Sequence, residues 1–114
     1  MPHCIVEHSS QLTARCKPEH ILNAVYQGAL NSGLFEGPDI KTRLQPFYHA
    51  WTKNQHGEFI HVVVKILTGR DRDQKKALSN MVLKELETLG LSHLSLTVEI
   101  VDIDTASYSK KVID

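Results

Sequence analysis

The chain is predicted to fold as one α+β domain built from two β-α-β units, in the order β-α-β-β-α-β. Its four strands form one mixed sheet and both helices lie on a single face of it. Three observations predict this. Residues 59–67 alternate without a break, with Ile60, Val62, Val64 and Ile66 on one side and Phe59, His61, Val63, Lys65 and Leu67 on the other. Two further stretches carry apolar residues at helical spacing, one in each half of the chain. A strand-like segment flanks each of them on both sides, and such a crossover is right-handed. At 114 residues the chain has room for one modest core, so it is read as a single domain over 1–114.

The first strand is short, residues 3–8, with Ile5 and Val6 as its β-forming residues. Residues 9–17 are polar and read as a connecting loop. Pro18-Glu19 opens the first helix, because proline suits the first helical turn and an acid suits its positive end. Ile21, Leu22, Val25, Tyr26, Ala29 and Leu30 form its apolar stripe, and Gly33 supplies a left-handed stop after Asn31-Ser32.

Glu36-Gly37-Pro38-Asp39 is turn chemistry. The second strand is expected over about 40–45, with Ile40, Thr42 and Leu44 on one face and Lys41, Arg43 and Gln45 on the other. Pro46 limits any continuation to an edge or a bulge, through Phe47, Tyr48 and Trp51. Asn54-Gln55-His56-Gly57 reads as a hairpin-like turn into the third strand. Gly69-Arg70-Asp71 ends that strand, and Asp71 or Asp73 caps the second helix. Leu78, Met81, Val82, Glu85, Leu86 and Leu89 give this helix its mostly apolar spacing, Gly90 stops it, and a last strand alternates over about 94–103. With both helices on one face, Phe59, Val63 and Leu67 are left on the bare side, which points to burial in a symmetric oligomer.

Thirteen basic residues balance thirteen acidic ones, so no electrostatic case exists for nucleic acid or an anionic membrane. Hydrophobic content of 41% with 23% charged residues is that of a globular protein. No apolar run approaches ~18 residues and no signal-like opening is present, so a soluble cytoplasmic protein is expected. Cys4 and Cys16 are too few for a disulfide framework, and neither carries a sign of activation. The seven histidines show no HxH or HExxH spacing, so no metal site is expected. His61, inside an apolar strand, reads as a packed or interface histidine.

Three features remain that can carry chemistry. Pro2 directly follows the start methionine, and methionine before a small residue is usually trimmed, which would leave a secondary amine at the N-terminus. An α-amine titrates at roughly 7.7–8.0, and burial or nearby cations lower it toward the range where a general base works best. Lys41 and Arg43 are two apart on a strand and share a face, where arginine can hold a carboxylate bidentately. Arg70 sits where a strand hands over to a helix, a place where a guanidinium and backbone N–H groups can meet an anion.

In combination these segments resemble the tautomerase superfamily and, within it, the 5-carboxymethyl-2-hydroxymuconate isomerase family. The resemblance rests on Met1-Pro2-His3 with Ile5-Val6-Glu7, on Ile40-Lys41-Thr42-Arg43, on Phe59-Ile60-His61-Val62 with Lys65-Ile66, and on Gly69-Arg70. It covers the chain up to about Ile103. It implies a homotrimer whose sheets pack into a central barrel, with helices outside. It also implies cofactor-free isomerisation of an unsaturated 2-hydroxy or 2-oxo carboxylate in aromatic compound catabolism. Pro2 would be the base, and Lys41, Arg43 and Arg70 would bind the small-molecule carboxylate. Lys41 stands where the family usually has arginine, Cys4 where an aromatic is typical, and the tail after Ile103 is shorter. A ligand-binding trimer without activity, or a tautomerase for another 2-oxo acid such as phenylpyruvate, are the alternatives these departures leave open.

Overall fold

A computed structural model describes residues 1–51 and 57–114. The elements follow the expected order: β1 (His3–Ser9), α1 (Pro18–Asn31), β2 (Lys41–Phe47), β3 (Glu58–Leu67), α2 (Arg72–Glu87) and β4 (Leu94–Ile103). The strands lie in the order β2-β1-β3-β4. β1 and β2 run parallel, as do β3 and β4, while β1 and β3 at the centre are antiparallel. The sheet is therefore mixed, and each half of the chain contributes one central and one edge strand.

The core lies between the sheet and the helices. Ile60, Val62, Val64 and Ile66 are fully buried, as the strict alternation of β3 requires, and Cys4 and Val6 of β1 lie beside them in register. From α1 the core takes Ile21, Ala24, Val25 and Ala29, and from α2 Leu78, Val82 and Leu86. The helices touch each other closely at Gly28, where an added Cβ would stand 2.6 Å from the Cα of Val82. Only glycine permits that approach, so Gly28 belongs to the apolar stripe although it has no side chain to contribute. α2 is capped by Asp71, whose carboxylate accepts from the Gln74 N–H while the Gln74 side chain accepts from the Asp71 N–H.

Several local expectations change. Residues 9–17 are not a plain loop: Ser9 ends β1, and Ser10–Ala14 form a 3₁₀ turn that buries Leu12 completely. One apolar residue in a polar stretch is enough to anchor it. β2 continues through Pro46 to Phe47, which its position at the sheet edge allows, since an edge residue can forgo a ladder N–H. Tyr48 and Trp51 lie past the end of β2 and are exposed. Met81 is partly exposed as well, at the rim of the apolar stripe. Of the turn expected at 54–57, Asn54, Gln55 and His56 lie outside the described residues.

The face away from the helices is less apolar than expected. Phe59, Val63 and Leu67 are half-buried, and cross-strand polar neighbours interleave with them. Across the sheet one row reads Lys41, His3, Lys65 and Val101, the next Arg43, Ile5, Val63 and Glu99, and the next Gln45, Glu7, His61 and Thr97. His61 is held there by Thr97 Oγ1 and Glu99 Oε2, each at 2.6 Å. No helix among the described residues is long and apolar enough to cross a membrane.

Candidate active site

The beginning of β1 gathers most of the candidate residues. Because β1 and β2 are parallel and in register, His3 lies directly beside Lys41, and Ile5 beside Arg43. The backbone joins here as well, the Lys41 N–H donating to the Pro2 carbonyl at 3.1 Å. Pro2 itself is buried. With Met1 attached its nitrogen is an amide, and the chain's amine sits one residue earlier.

That amine shows what the surroundings do to a base. Burial and then the Lys41 ammonium hold it below the usual α-amine range, with Lys110 acting in the same sense and Asp39 opposing. It donates to the Asp39 carbonyl at 3.2 Å, which also accepts from Lys41 Nζ at 3.0 Å. Lys41 is thus folded back onto the turn before β2. Arg43 reaches sideways instead, its Nη1 lying 3.2 Å from His3 Nδ1. The opposite ring nitrogen, Nε2, lies 2.9 Å from the Tyr108 hydroxyl. Burial, and after it the Arg43 charge, push the His3 ring below its ordinary value, with the amino terminus, Lys41 and Lys65 adding to the effect.

Tyr108 comes from the tail. After β4 a 3₁₀ turn, Thr105–Ser107, redirects the chain across the end of the sheet. Thr105 meets Thr68 beyond β3 at 3.0 Å, Tyr108 meets His3 on β1, and Lys110 Nζ approaches Asp39 before β2 at 3.8 Å. Sequence reasoning passed over His3 and Tyr108, which are 105 residues apart and linked only by the fold. The one hint was Tyr108 as a lone aromatic in a polar tail.

Arg70 is engaged elsewhere. Its Nη2 donates to the Leu34 carbonyl at 2.9 Å, and its guanidinium lies 5.3 Å from the centre of the Phe35 ring. Those contacts tie the start of α2 to the segment after α1, and no contact joins Arg70 to Lys41, Arg43 or His3 among the described residues. The structure brings Pro2, Lys41 and Arg43 to one end of β1 and β2 and holds Arg70 on a different set of partners.

Cys4 is buried in the core beside this site, and burial pushes its thiol up to about 12, so at neutral pH it is an inert apolar filler. Among the described residues no group of three or more His, Cys, Asp or Glu side chains converges to hold a metal ion. Two cavities, of about 310 and 410 Å³, open at the other end of the sheet, along His8, Leu44, Pro46 and Tyr48 and along Arg15, Phe47 and Glu58.

A search of curated protein sequences finds no match. Among solved structures, the chain superposes on a crystal structure of 5-carboxymethyl-2-hydroxymuconate delta-isomerase with a TM-score of 0.80, at 14% identity over 98% of this chain and 88% of that one. A 5-carboxymethyl-2-hydroxymuconate isomerase from Deinococcus radiodurans R1 gives 0.76 at 22% identity, over 96% and 88%. A fused 4-OT wild-type symmetric trimer gives 0.76 at 16% identity, over 95% and 90%. At these identities the likeness is one of fold. The sequence itself carries the rest, because the family model described as 5-carboxymethyl-2-hydroxymuconate isomerase matches residues 2–113, from the buried proline to the last residue but one. The chain belongs to the 5-carboxymethyl-2-hydroxymuconate isomerase family, and so to the isomerases of the tautomerase superfamily.

Proposed function

We propose that this chain is a cofactor-free isomerase of an unsaturated 2-hydroxy or 2-oxo carboxylic acid, 5-carboxymethyl-2-hydroxymuconate being the first substrate to test, and that Pro2 is its base once Met1 is removed. The observation that carries this reading is the terminal amine held below its usual range by burial and by Lys41. An amine one residue further in, at buried Pro2, enters the same surroundings. Its lone pair takes the proton of the 2-hydroxyl. The electron pair moves through the conjugated system, and the protonated proline returns a proton to a distant carbon. The product is a 2-oxo acid with its double bond moved, and no oxidant or reductant is consumed.

Arg43 and Lys41 supply the positive charge for the substrate's carboxylates in this reading, as preorganised electrostatics. Arg70 serves as a carboxylate ligand only if it exchanges the Leu34 carbonyl for the substrate. The chemistry and the small pool of charged acids it acts on belong to aromatic compound catabolism in the cytoplasm.

We further propose a homotrimer, with the half-buried, mixed face of the sheet turned inward. Fold neighbours that are trimers support this. Sedimentation should give three times 12.9 kDa. The base is tested by Pro2→Ala in a chain whose intact mass shows Met1 absent. The expected loss in kcat is on the order of 10²-fold, and an unchanged kcat contradicts the assignment.

A further inference from the structure

The hydrogen bonds around His3 fix the direction of a proton chain. A guanidinium has donors and no acceptor, so the 3.2 Å contact between Arg43 Nη1 and His3 Nδ1 is a hydrogen bond only if Nδ1 carries a lone pair. The ring is then neutral with its proton on Nε2. Nε2–H donates across 2.9 Å to the Tyr108 oxygen. The phenol has one proton of its own, and no acceptor for it exists among the described residues. The chain Arg43 to His3 to Tyr108 therefore ends in a half-buried hydroxyl whose own proton is left to solvent or to a bound ligand.

The surroundings of His3, which holds that hydroxyl, are positively charged. Burial first, and then the charges of Arg43, the amino terminus, Lys41 and Lys65, keep the imidazole neutral. The tail that carries Tyr108 is pinned on both sides, by Thr105 on Thr68 and by Lys110 near Asp39. A hydroxyl anchored in this way needs no reorganisation as charge develops nearby.

We propose that Tyr108 is a further catalytic residue, donating its hydroxyl hydrogen bond to the substrate oxygen at carbon 2 as it becomes the dienolate anion, and that His3 is a positioning residue that holds Tyr108 in the donating orientation. This rests on the isomerase reading above. His3 acts by accepting from Arg43 on one nitrogen and donating to Tyr108 on the other. Arg43 in turn sets the tautomer of His3 as well as contributing charge.

The experiment is ultraviolet-monitored ketonisation of 2-hydroxymuconate by the trimer lacking Met1, comparing wild type with Tyr108→Phe, His3→Leu, His3→Gln and Pro2→Ala. Tyr108→Phe should lower kcat on the order of 10²-fold while KM stays within about twofold. His3→Leu should show the same kcat loss. His3→Gln should recover most of the rate, since an amide can accept from Arg43 and donate to Tyr108. A Tyr108→Phe enzyme with wild-type kcat overturns the proposal, as does a rise in KM alone, which would mean ground-state binding. Loss in His3→Gln equal to that in His3→Leu also overturns the role given to His3. A silent wild type fails the isomerase reading and this proposal with it. An active wild type with an unaffected Tyr108→Phe fails this proposal alone. Nitrogen-15 spectra of His3 give a readout free of turnover: an unprotonated Nδ1 is expected, and a protonated Nδ1 overturns the chain.

Discussion

β1 and β3 run antiparallel at the centre of the sheet, so the two β-α-β halves begin at opposite ends of it. Where β1 begins, Lys41, Arg43, Lys65 and Lys110 gather around His3 and the amino terminus, with Asp39 the acid among them. Where β3 begins, Glu58 is met by Arg15, whose Nε and Nη2 donate to Oε2 at 3.1 and 2.5 Å. One architecture thus carries an unbalanced positive end and a balanced one. Two cavities also open at the balanced end, one of them along Phe47, Tyr48 and Glu58. These two cavities and the excess positive charge thus mark different ends of the sheet, and the proposed anion chemistry follows the charge.

Substitutions at the two ends should therefore separate. The largest effect in this comparison is expected for Arg43→Ala, which removes a cation and takes the donor from His3 Nδ1. A fall in kcat/KM of about 10- to 100-fold is expected from steady-state kinetics. A change below twofold would mean that the positive end is only a solvated strand edge. Lys41→Gln should be milder and visible in the pH profile. A free amine is the active form of the base, so kcat/KM rises with pH through the amine's pKa. Lys41 lowers the pKa of the amine at this end. Its removal should move the rising limb to higher pH, and an unmoved limb would separate the base from Lys41. Arg15→Met, at the balanced end, should cost at most about 1 kcal/mol in thermal or denaturant unfolding. Turnover should stay at the wild-type level. A marked loss of turnover there would relocate the chemistry to the cavities.

The residues that could be read from the sequence are those with local signals. β3 and β4 were legible because alternation over ten residues leaves one assignment, and β4 runs over the expected 94–103. The cap was narrowed to Asp71 or Asp73 by the apolar spacing that follows, and the structure gives it to Asp71. The burial of Leu12 was not, since one leucine among polar residues has no period. Met81 met the helical spacing yet sits at the rim of the stripe, where a few tens of degrees of rotation decide exposure. Pro2, Lys41 and Arg43 were singled out as candidates through their place next to strand starts, and the fold brings them to one end of the sheet. The reach of Arg70 to Leu34 and Phe35 and the meeting of His3 with Tyr108 depend on long-range packing, which no local pattern carries.

The central claim is that a proline amine at the positive end of the sheet is the base. The test is to prepare the protein with intact mass showing Met1 removed and to follow 2-hydroxymuconate ketonisation from acid to alkaline pH. The account predicts turnover whose rising limb titrates below the ordinary α-amine range of roughly 7.7–8.0. A chain lacking Met1 that leaves the dienol unchanged at every pH, or turns it over with no such limb, would contradict it.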